Sequence, residues 1–231
     1  MSTLVSPLTL GGIEQLPAHA RRCVFWETDP ASSSELRGLC DPEFEKEAWL
    51  SMVLLEWGSC GQIATLGDKV AGCAFYAPPG MVPRAKDFPT SPVSPDAILL
   101  TSLRIEPHAA DLDVGVDLVR AVISDMVRRN VRAIEAFGYR HGDEEPSDDL
   151  PTATASLECS DRECMIDAGF LEQMGFEVVA PHHRYPRLRL ELDRDHEWKV
   201  AVEAALDRLL EEASLTMAGL TAGSTVGAGA H

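Results

Sequence analysis

Two stretches of this 231-residue sequence hold residue types that could do chemistry. In the first, Leu103-Arg104-Ile105 is followed by Asp111-Leu112-Asp113-Val114-Gly115-Val116, the end of a strand set against the opening of a helix. A helix N-terminus is an anion site, because its first backbone N–H groups have no intrahelical partner and the positive end of the macrodipole lies there. Asp111, Asp113 and Asp117 crowd this opening. Their plain role is to complement the macrodipole. The same carboxylates would repel a bound anion.

The second stretch offers Glu135 and Cys164. Glu135 lies on a strand and could accept a proton, or by strict alternation could equally face solvent. Cys164 opens a helix, and a helix N-terminus lowers a thiol pKa. Asp161 and Glu163 beside it oppose that shift. The alternative is a buried structural cysteine. His182-His183 suggests a metal ligand or a base by type, but it sits between Pro181 and Pro186, where two solvated histidines are the plainer reading. Arg184, Arg187 and Arg189 alternate along a strand, marking either its exposed face or the holder of an anion. The six cysteines form no CxxC pair and match no zinc-ribbon spacing, so no metal site is expected.

These residues depend on the elements around them. Asp41 can cap a helix with Pro42 at its first position and Gly58 past its end, and Ala48, Met52 and Leu55 recur on it at helical spacing beside Trp49. Cys23–Trp26 reads as strand-like. QIATL and VAGCAFYA read as a hairpin about Gly67-Asp68. Six prolines between Pro78 and Pro95 forbid a central strand and favour a stiff extended loop or lid. Asp96–Ile105 is the next strand. The helix Val116–Asn130 aligns Val116, Val119, Val122, Ile123, Met126 and Val127. VRAIEAF is a strand, Met165–Met174 a helix ending at Gly175, and FEVVA and RLRLEL a final strand pair. Arg140–Glu163 is an acidic insertion.

Composition narrows the function classes. An apolar share of 45% supports a sizeable core. A net charge of −17 argues against nucleic acid and anionic membrane surfaces and favours cationic partners. The N-terminus lacks the features of a signal peptide, and no apolar run reaches membrane-spanning length. A reducing cytoplasm with free thiols is expected.

The order strand, loop, helix, strand, then helix, Gly-Phe, strand, turn, strand over Ile98–Tyr139 and Cys164–Leu192 resembles the cofactor half of GNAT-type (GCN5-related) N-acetyltransferases. RRCVFWE, EKEAWLSMVLLEWGSCG, YAPPGMVPRA and PHHRYPRLRLEL resemble a subgroup common in high-G+C Gram-positive bacteria. The resemblance implies an α/β fold: a mixed, mostly antiparallel sheet of about seven strands with helices on both faces. Residues 1–193 would form the acyltransferase domain, 194–213 a C-terminal helix and 214–231 a disordered tail.

It also implies acetyl-CoA or another acyl-CoA as cofactor and an amine acceptor as partner, and the net charge favours a cationic one. The pantetheine arm would lie on Leu103, Arg104 and Ile105, and the pyrophosphate on the segment Asp111, Leu112, Asp113, Val114, Gly115 and Val116. The family's loop has an Arg or Gln where this chain has Ala110, and a glycine where it has Asp113; only Gly115 matches. The tyrosine that protonates the departing thiolate in many members falls at Leu171, which cannot donate a proton. The family's strand glutamate has no counterpart in Ile98–Ser102. Base and acid therefore do not carry over, and Cys164 and Glu135 stand as weak substitutes. A non-catalytic binding module with weak or lost CoA binding is the alternative.

Overall fold

The computed structural model describes residues 3–29, 41–110, 112–141 and 159–192. All of them belong to one compact unit, Met1–Leu192. Most of the acidic insertion, the expected C-terminal helix and the tail lie outside the described residues.

The fold is mixed α/β. Its strands are β1 (Thr3–Pro7), β2 (Gly61–Leu66), β3 (Lys69–Ala77), β4 (Ala97–Ile105), β5 (Ala133–Tyr139), β6 (Ile166–Asp167), β7 (Glu177–Ala180) and β8 (Arg187–Glu191). They form one eight-stranded sheet in the order β1-β2-β3-β4-β5-β8-β7, with β6 pairing on β5. Pairing is antiparallel except for β4 with β5 and β5 with β6. Two of these strands, Thr3–Pro7 and Ile166–Asp167, lie outside the expected set of about seven, and the expected Cys23–Trp26 strand is absent from it. Leu4 and Val5 alone give too short an apolar signal to mark a strand.

Alternation along the strands feeds two cores, one on each face. Cys73, Phe75, Ala77, Leu99, Ala133 and Phe137 join one. Ala74, Tyr76, Ile98, Leu100, Ile134 and Ala136 join the other. The first core is covered by α1 (Ala18–Arg22) and α2 (Pro42–Glu56), the second by α3 (Val114–Arg128) and α5 (Ala168–Gln173). The one-turn helix α4 (Asp161–Cys164) adds Cys164 to the first core.

Asp41 caps α2 as expected, its side chain accepting from the Glu43 N–H at 3.0 Å. The buried stripe differs from the expected one. Lys46, Trp49, Leu50 and Val53 face inward, while Met52 and Leu55 are exposed. A buried lysine breaks the apolar pattern, which hid the true face. On α3, Leu118 is buried where Val116 and Val127 are only half-buried.

Three other expectations are corrected. Cys23–Trp26 is not a strand but the end of α1 and a turn. Its bulk is apolar because Trp26 stacks on Phe88 at 5.0 Å and Arg84 lies 4.1 Å from the centre of the Phe25 ring. A short apolar run does not distinguish these cases. The proline-rich segment is not an extended lid. It makes two 3-10 turns, Pro79–Met81 and Pro83–Asp87, and buries Val82, Ala85, Phe88 and Val93 in the first core. Met165–Met174 is not one helix, since β6 interrupts it. The Asp167 carboxylate accepts from the Phe170 N–H at 2.8 Å and starts α5 afresh.

Leu171 on α5 is fully buried in the second core. Leu171→Ala should cost about 2–5 kcal/mol of stability, the range for large-to-small core changes. Urea denaturation checks this; a loss below about 1 kcal/mol would show that the site collapses around the cavity.

Candidate functional site

The sheet opens at β4 and β5. These parallel strands pair only at Ala97–Ala133, Ile98–Ile134 and Leu99–Glu135. Beyond Leu99, β4 runs on to Ile105 paired with β3. Beyond Ala136, β5 takes β6 as its parallel neighbour at Gly138 and Tyr139. The two strands part, and a wedge opens beside Leu100–Ile105. A strand edge in such a wedge presents backbone N–H and C=O groups to anything extended that lies along it.

Helix α3 begins at the mouth of this wedge. Gly115 lets it approach. A Cβ there would stand 2.8 Å from Ile105 Cδ1 and 3.6 Å from Leu103 Cδ2. The structure therefore brings Leu103 and Ile105 of β4 against Gly115 in the first turn of α3. Leu112 is exposed. Asp113 holds the N-cap position with an exposed side chain that makes no capping hydrogen bond, while its carbonyl accepts from the Asp117 N–H at 3.0 Å. Its charge is thus presented to whatever approaches the first N–H groups of α3. Asp111 lies outside the described residues.

A narrow cleft of about 20 Å³ runs from the wedge toward α1 and α2, bordered by Ser102, Leu103 and Arg104 of β4 and by Phe75, Glu27 and Lys46. That is room for about one water. Glu27 and Lys46 form an almost fully buried ion pair, with Lys46 Nζ 4.4 Å from the centre of the Phe75 ring. Burial favours the neutral amine, but Glu27 outweighs it and holds the Lys46 pKa above the usual lysine value. Oε2 of Glu27 is buried without a hydrogen-bond partner among the described residues. Sequence patterning did not single out this pair. The only signal was a lysine on the inward face of an otherwise amphipathic helix.

Glu135 is fully buried and is not a solvent-facing base. It pairs with Arg187 and, at 3.0 Å, with Arg189, and accepts from the Ser94 N–H at 3.2 Å. Burial pushes its carboxyl up, but the Ser94 N–H and the two guanidinium groups outweigh that and hold it below the usual carboxylate range. A carboxylate so held is a poor proton acceptor. The alternating arginines accordingly do not mark an exposed face. Arg187 and Arg189 turn inward onto Glu135, and Arg189 also holds Asp96 through a two-point contact at 3.0 Å.

Cys164 is buried. Hydrogen bonding with Cys159 and Cys23, with burial added, pushes its thiol well up. Contact with Cys159 and burial push Cys23 to about 12. Cys164 Sγ lies 3.5 Å from Cys23 Sγ and 3.7 Å from His19 Nε2. The sequence did not reveal this grouping, because Cys23 and Cys164 stand 141 residues apart and neither half is a CxxC.

At the β7–β8 turn, His182 Nδ1 accepts from the backbone N–H groups of Tyr185 at 2.9 Å and Arg184 at 3.2 Å. His182 thus stabilises the turn. Tyr185 donates to Asp161 at 2.7 Å. No helix among the described residues is long and apolar enough to cross a membrane.

No protein-family model matches the chain, and no curated protein matches it. Solved structures similar to it include a GNAT-family acetyltransferase from Staphylococcus aureus Mu50, at 12% identity over 83% of this chain and 100% of that one, with a TM-score of 0.47. A second is the Paia N-acetyltransferase of Thermoplasma acidophilum in complex with coenzyme A, at 13% identity over 83% and 99%, TM-score 0.45. A third is the ribosomal-protein-S18-alanine N-acetyltransferase of Escherichia coli, at 12% identity over 83% and 95%, TM-score 0.41. The similarity is to acetyltransferases, among them a GNAT-family member, and is remote in both identity and superposition.

Proposed function

We propose that this chain is an acyl-CoA-dependent N-acyltransferase that moves an acetyl or other acyl group to an amine. The observation that carries this reading is the wedge between β4 and β5 with the N-terminus of α3 at its mouth. The opened edge of β4 at Leu103, Arg104 and Ile105 suits an extended pantetheine arm, and the N–H groups from Asp113 to Val116 suit a pyrophosphate. The group supplies the activated acyl thioester. The protein would align the amine beside it and polarise the thioester carbonyl through strand N–H groups. The net charge of −17 favours a cationic acceptor, and a cytoplasmic setting belongs to the same proposal.

Asp113 favours the second reading, a binding module with weak or lost CoA binding, because its exposed side chain stands at the opening of α3, where a pyrophosphate would have to lie. Thiol release from acetyl-CoA separates the two. The protein is mixed with polyamines, free lysine and peptide N-termini, and free CoA is followed. Release that depends on an added amine is expected. No release with any amine, at acetyl-CoA concentrations up to several millimolar, would leave the module reading.

A further inference from the structure

We propose that His19, Cys23, Cys159 and Cys164 form a closed four-ligand site for a thiophilic divalent cation of the zinc class. One donor atom from each residue lies within 4.8 Å of all the others. Tetrahedral zinc with metal–sulfur bonds of about 2.3 Å and metal–nitrogen bonds of about 2.0–2.1 Å sets sulfur–sulfur edges near 3.7 Å and sulfur–nitrogen edges near 3.5 Å. The Cys23–Cys164 separation of 3.5 Å and the Cys164–His19 separation of 3.7 Å fall close to those edges. Three sulfurs and one imidazole nitrogen make a donor set that selects zinc over hard cations such as magnesium or calcium.

The chain builds this set from two local pairs. His19 and Cys23 lie one helical turn apart at the end of α1, where the Cys23 N–H donates to the His19 carbonyl at 2.8 Å. Cys159 and Cys164 bracket α4, and the Trp26 indole N–H holds the Cys164 carbonyl at 3.1 Å. A cation would pin α1 to α4 across the first core, releasing a proton from each thiol that it ligates. With all four positions filled by protein, the site is structural and leaves no place for a reacting group. Cys23 and Cys164 also border the cleft, so the same staple would fix one of its walls. A Cys23–Cys164 disulfide competes for these sulfurs, but their separation is well beyond the bonded length of about 2.05 Å, and it would leave His19 and Cys159 without a part.

Cobalt(II) is the probe, added to reduced, full-length protein. Stoichiometric binding is expected, with a sulfur-to-cobalt charge-transfer band in the near ultraviolet and the intense visible bands of tetrahedral cobalt, both abolished by one equivalent of zinc. In Cys159→Ser and His19→Ala, whose positions are only half-buried, these bands should weaken sharply while near-ultraviolet circular dichroism shows the fold retained. The proposal is overturned if the folded, reduced protein gives no such bands, or if both variants bind cobalt as the unmodified chain does. Recovery of a Cys23–Cys164 disulfide together with refusal of cobalt after its reduction would overturn it equally. None of these readings involves acyl-CoA, so the result is independent of the proposed activity.

Discussion

Glu135→Ala is expected to destabilise the fold by about 3–5 kcal/mol, the cost of breaking a buried ion pair from one side. Glu135 is fully buried, and it is the carboxylate paired with Arg187 among the described residues. Arg189 retains Asp96 and Glu191, so the loss centres on Arg187. The pair also ties β5 to β8 and, through the Ser94 N–H, to the segment before β4, which holds closed the base of the wedge. Denaturant melts of Glu135→Ala and Glu135→Gln against the unmodified protein check this. The glutamine variant should lose less, because it keeps the shape and an acceptor. A loss under 1 kcal/mol for the alanine variant would show that the arginines find other partners.

A pH dependence follows from the same contact. The folded carboxyl is held below its ordinary value of about 4.3, so the stabilisation is fully present above that pH and is lost as pH falls through the lower folded value. Glu135→Gln should flatten the acid side of the stability curve, as read from melting temperature against pH.

Much of this was legible in the sequence. The α3 helix, the β2–β3 hairpin and the β7–β8 pair each carry a periodic apolar signal and turn residues at their ends, as at Gly67 and Gly175, both at positive φ. The site was legible only in part. Gly115 and the strand ahead of α3 could be matched to a pattern, because a close helix–strand approach needs a missing Cβ. Glu135 could not be assigned, because nothing in its own strand tells that Arg187 and Arg189, more than fifty residues away, turn inward onto it. The buried Glu27–Lys46 pair and the His19–Cys23–Cys159–Cys164 cluster were hidden for the same reason. Each is made by elements that meet only in three dimensions.

Asp113 at the opening of α3 gives the second large expectation. Asp113 carries an exposed carboxylate at the N-cap of α3 without using it to cap the helix. A charge about 4–6 Å from a phosphate costs about 1 kcal/mol or more at an effective dielectric near 20. Asp113→Gly removes it and lets the backbone approach, and Ala110→Arg adds a two-point phosphate partner. Together they should gain roughly 2–3 kcal/mol of CoA affinity, about 30–150-fold. Some helix stability is lost, since glycine and a positive charge both sit poorly at a helix start.

Calorimetric titration of CoA into the unmodified protein and into this double variant, at low and high salt, tests the central claim most directly. Weak binding is expected for the unmodified chain, with a dissociation constant above ~100 µM, rising to low-micromolar affinity in the variant and weakening again in salt. Equal affinity in the two proteins, with the fold intact, would contradict the assignment of the α3 N-terminus as the pyrophosphate site, and with it the acyltransferase reading of the wedge.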